Sequence, residues 1–469
     1  MLALLGLAAG LLAGVRGGPL WLDEALSVEI ARLPLSELPG ALRQDGAPPL
    51  YYVLLHGWMA LFGTGTTAVR LLSVVLVPVA LLLAHRLGGR LGGRAGGRAA
   101  VVVLASLPWT MRFGSETRMY ALVVALVLFG ALALLAVRAA PSRTAVGLGA
   151  VTVAALLLTH YWALFLLAAV GLWHLPGLAR RSAPSVRVVT ALVLGGVLFL
   201  PWLPVFVFQA LHTGAPWATP PALLDLLRTP TFWGGGADRW RWALVAILLP
   251  LLVVAVARRR PARALVGIAS LTLLLAWAQT AAAGGAYTGR YTAVVVPLVA
   301  VAAGLGAVAL PGRGAPLLTL ALLTGVGAWS GVPAAAVPRT SAAGIADAVR
   351  DAASPGALLA YCPDQLGPPV QRLLGADYEQ VLYPTLAPPQ RIDWVDYAQR
   401  QAAADPAVIA RELDARAGDR PLLVLKASRY RTFGGQCEAL LAGLTDLRGP
   451  ATHHFGREGT TGQLLYRFR

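Results

Sequence analysis

A chain of 469 residues that is 57% hydrophobic and only 13% charged is too apolar for a water-solvated fold, because soluble domains carry about 25% charged residues. A mean hydropathy of +0.66 points to lipid as the main solvent. The net charge of +17 does not call for nucleic acid, since basic residues of membrane proteins collect in cytoplasmic loops during insertion and need no acidic partner.

The acids are unevenly spread. Residues 1–339 hold 8 of the 22 Asp and Glu, and residues 340–469 hold the other 14. That division predicts a transmembrane domain over 1–335 and a soluble domain over 340–469. The run Met1–Val15 is apolar but lacks a positive n-region, so it reads as a first spanning helix rather than a cleaved signal peptide. Its 15 residues reach about 22 Å, short of a ~30 Å hydrocarbon core, and extension to Leu20 with Arg16 snorkelling closes the gap. Residues 21–66 form the first outer loop, with surface helices. Further spanning helices are expected at 67–86, 99–114, 118–137, 144–159, 161–178, 187–208, 240–257, 264–283, 291–310 and 315–333, about eleven in all.

The apolar run Pro49–Phe62 has a length typical of interfacial helices, and charge decides its placement. If it does not span and the N-terminus is cytoplasmic, the connections on that side hold Arg86, Arg90, Arg94, Arg98, Arg138, Arg143, Arg180, Arg181, Arg187, Arg258, Arg259, Arg260, Arg263 and Arg313, and no acid. Every carboxylate of the membrane body (Asp23, Glu24, Glu29, Glu37, Asp45, Glu116, Asp225, Asp238) then falls outside. If the run spans, the arginines move outside, against the positive-inside rule. The run is therefore expected on the outer surface, the stretch Gly88–Arg98 as a basic cytoplasmic loop, and the C-terminal domain outside the cytoplasm of a cell membrane.

The C-terminal domain alternates helix and strand. Candidate strands are Ala357–Tyr361, Gln380–Tyr383, Pro421–Lys426 and Gln463–Phe468. Candidate helices are Ser341–Ala353, Asp405–Ala417 and Gly435–Leu447. The pattern predicts a small α/β domain. Its cysteines, Cys362 and Cys437, could form a disulfide in an oxidising compartment or remain two buried thiols. The expected fold class is thus an α-helical polytopic membrane protein with a C-terminal extracytoplasmic α/β domain.

This topology gathers polar groups on one face: Asp23-Glu24 in the first outer loop, Glu116, Arg118 and Tyr120 after the third span, His160-Tyr161-Trp162 after the fifth, and Arg290-Tyr291 after the ninth. Charged residues at the ends of apolar helices are costly unless paired or hydrated, which makes them functional candidates. For Tyr161, Trp162 and Tyr291 an interfacial aromatic belt is the competing reading. A carboxylate at the surface can act as general base on a hydroxyl, arginines can hold a phosphate bidentately, and aromatic rings suit the faces of sugars.

These residues carry a resemblance. The pair Asp23-Glu24, the run Asp45-Gly46-Ala47-Pro48-Pro49-Leu50-Tyr51-Tyr52, then Phe62-Gly63, Arg70-Leu71-Leu72-Ser73, Glu116-x-Arg118-x-Tyr120, His160-Tyr161 and Arg290-Tyr291 resemble, in their order, the GT-C superfamily of membrane glycosyltransferases, in its protein-mannosyltransferase and aminoarabinose-transferase branch. The likeness covers the membrane body of about 330 residues. It implies a polyprenyl-phosphate donor of mannose or a pentose, inversion at the anomeric carbon, and a lipid, glycan or protein acceptor among membrane lipids. It implies Asp23 as general base, Glu24 or Glu116 orienting acceptor or sugar, and Arg118 and Arg290 holding the leaving phosphate. Tyr120, His160 and Tyr291 would support that phosphate, and Tyr51 and Tyr52 would line the site beside Tyr161. Ala47 stands where the branch commonly has His, and His56 reads as structural. No His/Cys/Asp cluster has ligand spacing, so no cofactor is called for, although a divalent metal stays open. His453-His454 reads as incidental. The competing class is a transporter or flippase of lipid-linked saccharides, which would need polar groups near the bilayer midplane. The middles of the expected spans are almost free of charge.

Overall fold

The computed structural model describes residues 1–139, 141–215, 218–235, 238–427, 433–456 and 462–469. They form two compact units: Met1–Gly17, Ala47–Val207 and Ala218–Val337 in the first, and Gly18–Gly46, Phe208–Trp217 and Pro338–Arg469 in the second.

Among the described residues six helices are long and apolar enough to cross a membrane: Thr66–Ser106, Tyr120–Ala139, Ala183–His212, Arg239–Arg258, Arg260–Ala283 and Gly314–Ala336. Shorter apolar helices, including Leu2–Val15, Arg143–Leu157, Ala163–Ala179 and Val296–Ala307, join them. The chain is a multi-pass membrane protein, and every run expected to span falls on helical segments. Helices are the local solution in lipid because all their backbone groups bond within the segment.

The expected loop Gly88–Arg98 needs correction. Helix continues on both sides of a break at Gly92 and Gly93, inside Thr66–Ser106. Gly93 has φ +69°, which a residue with Cβ resists. The two arms fold back closely: a Cβ on Gly88 would lie 2.7 Å from the Gly96 carbonyl oxygen, and one on Gly97 would lie 2.6 Å from that of His85. The glycines thus serve a tight helical hairpin. The run 99–114 is also interrupted, because extended Leu107 and Pro108 end one helix at Ser106 and start the next, Pro108–Phe113, as a residue before proline favours. The run 291–310 opens with a 3-10 turn, Tyr291–Val294, before the helix Val296–Ala307. Every residue of that last helix is buried, as expected of a segment apolar on all sides. The run expected on the surface forms the helix Leu50–Phe62, which buries Tyr51, Tyr52, Leu55 and Met59.

The second unit is built on a five-stranded sheet. Its strands are β1 (Leu358–Cys362), β2 (Glu379–Leu382), β3 (Leu422–Ala427), β4 (Thr452–Phe455) and β5 (Gln463–Phe468), in spatial order β2-β1-β3-β5-β4. β1 is parallel to β2 and β3, and β5 is antiparallel to β3 and β4. All of β1 is buried, which fits the continuous apolar run of a central parallel strand. The exposed strand β4 has the sequence Thr-His-His-Phe and lacks any apolar alternation, so sequence reading missed it. The helix Pro406–Ala417 starts where Asp405 accepts from Ala407 N–H at 2.9 Å, with Pro406 in the first turn, and stops at Gly418 with φ +57°, the usual start and stop chemistry. Cys362 and Cys437 are joined, tying the end of β1 to the helix Gln436–Arg448.

Residues 18–46 and 208–215 pack with this unit. Leu26 joins its core. Glu29 accepts from Arg372 at 2.7 Å and Arg32 at 3.1 Å. Gln209 donates to the Leu42 carbonyl at 2.7 Å, and Trp394 N–H donates to that of Gln44 at 3.0 Å.

Candidate active site

In the first unit, Glu116, Arg118 and Tyr120 occupy the turn between the helices Pro108–Phe113 and Tyr120–Ala139. Ser73 pins that turn by donating to the carbonyls of Glu116 at 2.6 Å and Arg118 at 3.3 Å. Arg70, one turn away on the same helix, donates to the Val15 carbonyl at 3.1 Å, satisfying a helix end that has no intrahelical partner. Arg118 reaches the helix Leu50–Phe62, where its Nη1 donates to the Tyr52 hydroxyl at 3.3 Å. Tyr51 meets Tyr52 edge to face at 6.0 Å.

Tyr120, His160 and Tyr291 come from three separate segments and form a chain of rings, with centroids 6.1 Å apart for Tyr120 and His160 and 5.1 Å for His160 and Tyr291. Trp162 packs against both Tyr287 and Tyr291 at 5.5 Å. His160 Nδ1 accepts from the Trp162 N–H at 3.1 Å, so a neutral ring carries its proton on Nε2. The guanidinium of Arg290 lies 5.4 Å from the Tyr291 ring centroid. Arg118 and Arg290 both lie within electrostatic reach of Tyr120 and of His160. Two cations, far apart in sequence, thus converge on one buried aromatic cluster. The Tyr120 hydroxyl is buried and has no hydrogen-bond partner among the described residues.

Tyr161 turns elsewhere. Its hydroxyl accepts from Trp202 Nε1 at 2.9 Å and its ring packs on Phe206 at 4.8 Å. Asp23 and Glu24 belong to the second unit, on the first turn of the helix Leu22–Ala31, where the helix dipole favours carboxylates. Glu24 is buried and its carboxylate accepts from the Trp21 N–H at 3.4 Å, a capping role. Asp23 is half-buried, and its backbone carbonyl accepts from the Ser27 hydroxyl at 2.7 Å.

Sequence reading missed Trp109, whose indole N–H donates to the Gly289 carbonyl at 2.8 Å and so holds the residue before Arg290. It was hidden inside an apolar run, and Pro108 was the one signal that the helix restarts there. Among the described residues no group of three His, Cys, Asp or Glu is placed to hold a metal.

No protein-family model matches the chain, and no curated protein matches it in sequence. Solved structures do match. ArnT from Cupriavidus metallidurans in the apo state superposes with a TM-score of 0.64 at 15% identity, over 99% of this chain and 97% of that one. The same enzyme bound to undecaprenyl phosphate gives 0.63 at 13% identity, with equal coverage. This chain has the GT-C fold. The oligosaccharyltransferase of Archaeoglobus fulgidus, solved with Zn and sulfate, is a more distant GT-C likeness, with a TM-score of 0.50 at 11% identity over 98% of this chain and 72% of that one. The superposition on ArnT covers 99% of this chain and so takes in the second unit as well.

Proposed function

We propose that the chain is a membrane glycosyltransferase that moves a hexose or pentose from a polyprenyl-phosphate donor to an acceptor hydroxyl with inversion. The observation that carries this reading is the pair Arg118 and Arg290 beside the unpartnered Tyr120 hydroxyl. Two guanidiniums and a buried O–H donor match a phosphate, which offers acceptor oxygens and charge at once. The neighbouring rings of His160, Tyr291 and Trp162 suit a sugar face. The GT-C fold, shared with an enzyme solved with undecaprenyl phosphate, supports the same donor class.

In this reading Asp23 takes the proton of the acceptor hydroxyl as its oxygen attacks the anomeric carbon. The bond from that carbon to the phosphate oxygen breaks, and the electron pair leaves with the polyprenyl phosphate, whose added charge Arg118 and Arg290 stabilise. Tyr120 donates to a phosphate oxygen. Tyr51 and Tyr52 line the site, with Tyr52 orienting Arg118. Glu116 orients the sugar or acceptor, and Glu24 acts by fixing the helix that carries Asp23. The acceptor is a lipid, a glycan or a protein. The arginines between spans, against the acids on the other side, support an orientation with the site and the second unit outside the cytoplasm.

The test is to incubate the purified protein in lipid nanodiscs with radiolabelled polyprenyl-phosphate hexoses and pentoses, with membrane extract as acceptor. Release of polyprenyl phosphate from one donor, lost in Arg290→Ala, is expected. Absence of turnover with every donor, alongside ATP-independent passage of a lipid-linked sugar across the bilayer, would replace this reading with a flippase.

A further inference from the structure

The second unit contains a cavity of about 560 Å³, within the range of small-ligand sites, that no step above uses. Glu29 and Arg32 border one side, and the segment 385–393 borders another. Asp364, Arg400 and Gln401 complete the wall.

Four observations mark this cavity as built for a ligand. Gln401 is only 2% exposed, yet its side-chain oxygen has no hydrogen-bond partner among the described residues, and neither does the buried Arg400 Nε. Orphaned buried polar atoms are rare and call for an explanation. Behind the wall the Tyr397 hydroxyl donates to Asp364 at 2.5 Å and accepts from Gln365 Nε2 at 2.8 Å, while the Gln365 side-chain oxygen is also unsatisfied. Three residues other than glycine have positive φ among the described residues, and two of them, Leu386 (+52°) and Asp396 (+48°), lie in or beside the cavity segment. Such backbone strain concentrates at ligand sites.

Charge selects the ligand class. Of the lining ions, Glu29 is paired with Arg32 and Arg372, and Asp393 with Arg400. That leaves exposed Arg391 and buried Asp364, whose carboxyl is held largely protonated by burial up to about pH 7. The lining's other ions are paired and the exposed Arg391 is screened by solvent, so the lining gives an anion little attraction. It offers alternating donors and acceptors beside apolar Leu33, Pro34 and Ile392, and that mixture matches the hydroxyls and C–H faces of a sugar.

We propose that this cavity is a binding subsite for a neutral oligosaccharide. The proposal concerns binding alone and stands or falls separately from sugar transfer.

The full-length protein in nanodiscs is titrated with α-linked mannotriose, arabinotriose and maltotriose, and separately with inorganic phosphate, by saturation-transfer NMR and calorimetry. Saturable binding of at least one neutral trisaccharide is expected, weakened about tenfold or more in Gln401→Leu and in Arg391→Ala, the loss of one or two well-made hydrogen bonds. Arg391 is exposed, so its variant decides the matter if Gln401→Leu fails to fold. Binding of phosphate alone, binding of none of the three sugars, or equal affinity in the wild type and the Arg391→Ala protein would each overturn the proposal.

Discussion

The Tyr120 hydroxyl sits in a fully buried side chain with no acceptor among the described residues, a situation that costs about 1–3 kcal/mol in the ligand-free protein. Tyr120→Phe is therefore expected to leave the apparent melting temperature equal or higher while lowering transfer about tenfold, and a lowered melting temperature with normal turnover would contradict the phosphate role. Asp23→Asn keeps the side-chain shape and removes the base. Transfer should fall by about 100-fold or more with unchanged donor binding, and wild-type turnover would remove Asp23 from that role. Asp364 supplies a pH test. Burial raises its carboxyl from 3.8 to about 7 against the Tyr397 hydrogen bond. The folded state therefore holds a proton that the unfolded chain gives up near pH 4, and the stabilisation present below that pH is lost as pH rises through about 7. Asp364→Asn should flatten the melting profile between about pH 4 and 7 and gain stability at about pH 8. A profile identical to the wild type would show that the burial carries no such penalty.

At the scale of elements, small residues set how closely helices approach. A Cβ on Gly327 would lie 1.9 Å from the Ser106 carbonyl oxygen, so the helix Gly314–Ala336 touches the end of Thr66–Ser106 backbone to backbone. In lipid, packing of this kind replaces the hydrophobic drive. Gly327→Val should lower the apparent melting temperature and expression together, and a neutral result would mean that the helices separate without cost. In the sheet unit the disulfide links cysteines 75 positions apart in sequence. The double change Cys362→Ser and Cys437→Ser should cost about 2–5 kcal/mol, read as faster hydrogen exchange in β1. These two devices differ in how far sequence exposed them. The cysteine pair was visible as a choice between bridge and free thiols, because sequence does not report separation. The Gly-rich stretch 88–98 reads as a loop by composition, and only the approach of its two arms reveals a hairpin.

For the whole molecule, the arginine pattern predicts opposite accessibility for the two sides of the membrane. Single cysteines at exposed Gly65 and Arg313, introduced without the native pair, should react and resist, respectively, with an impermeant maleimide applied from outside. Reaction of both would end the proposed orientation. The helical segments, the polar α/β composition of the C-terminal part and most strands were legible in sequence. In lipid each span must satisfy its own backbone hydrogen bonds, and a buried strand must be apolar on both faces, so these properties are local and leave a local record. Which side chains meet is not local. The convergence of Arg118 and Arg290 on Tyr120, the turning of Tyr161 toward Trp202, the capping by Glu24, and the packing of residues 18–46 with the sheet unit join segments up to hundreds of residues apart. They depend on packing and on the pairing of buried polar groups, which residue order alone does not encode.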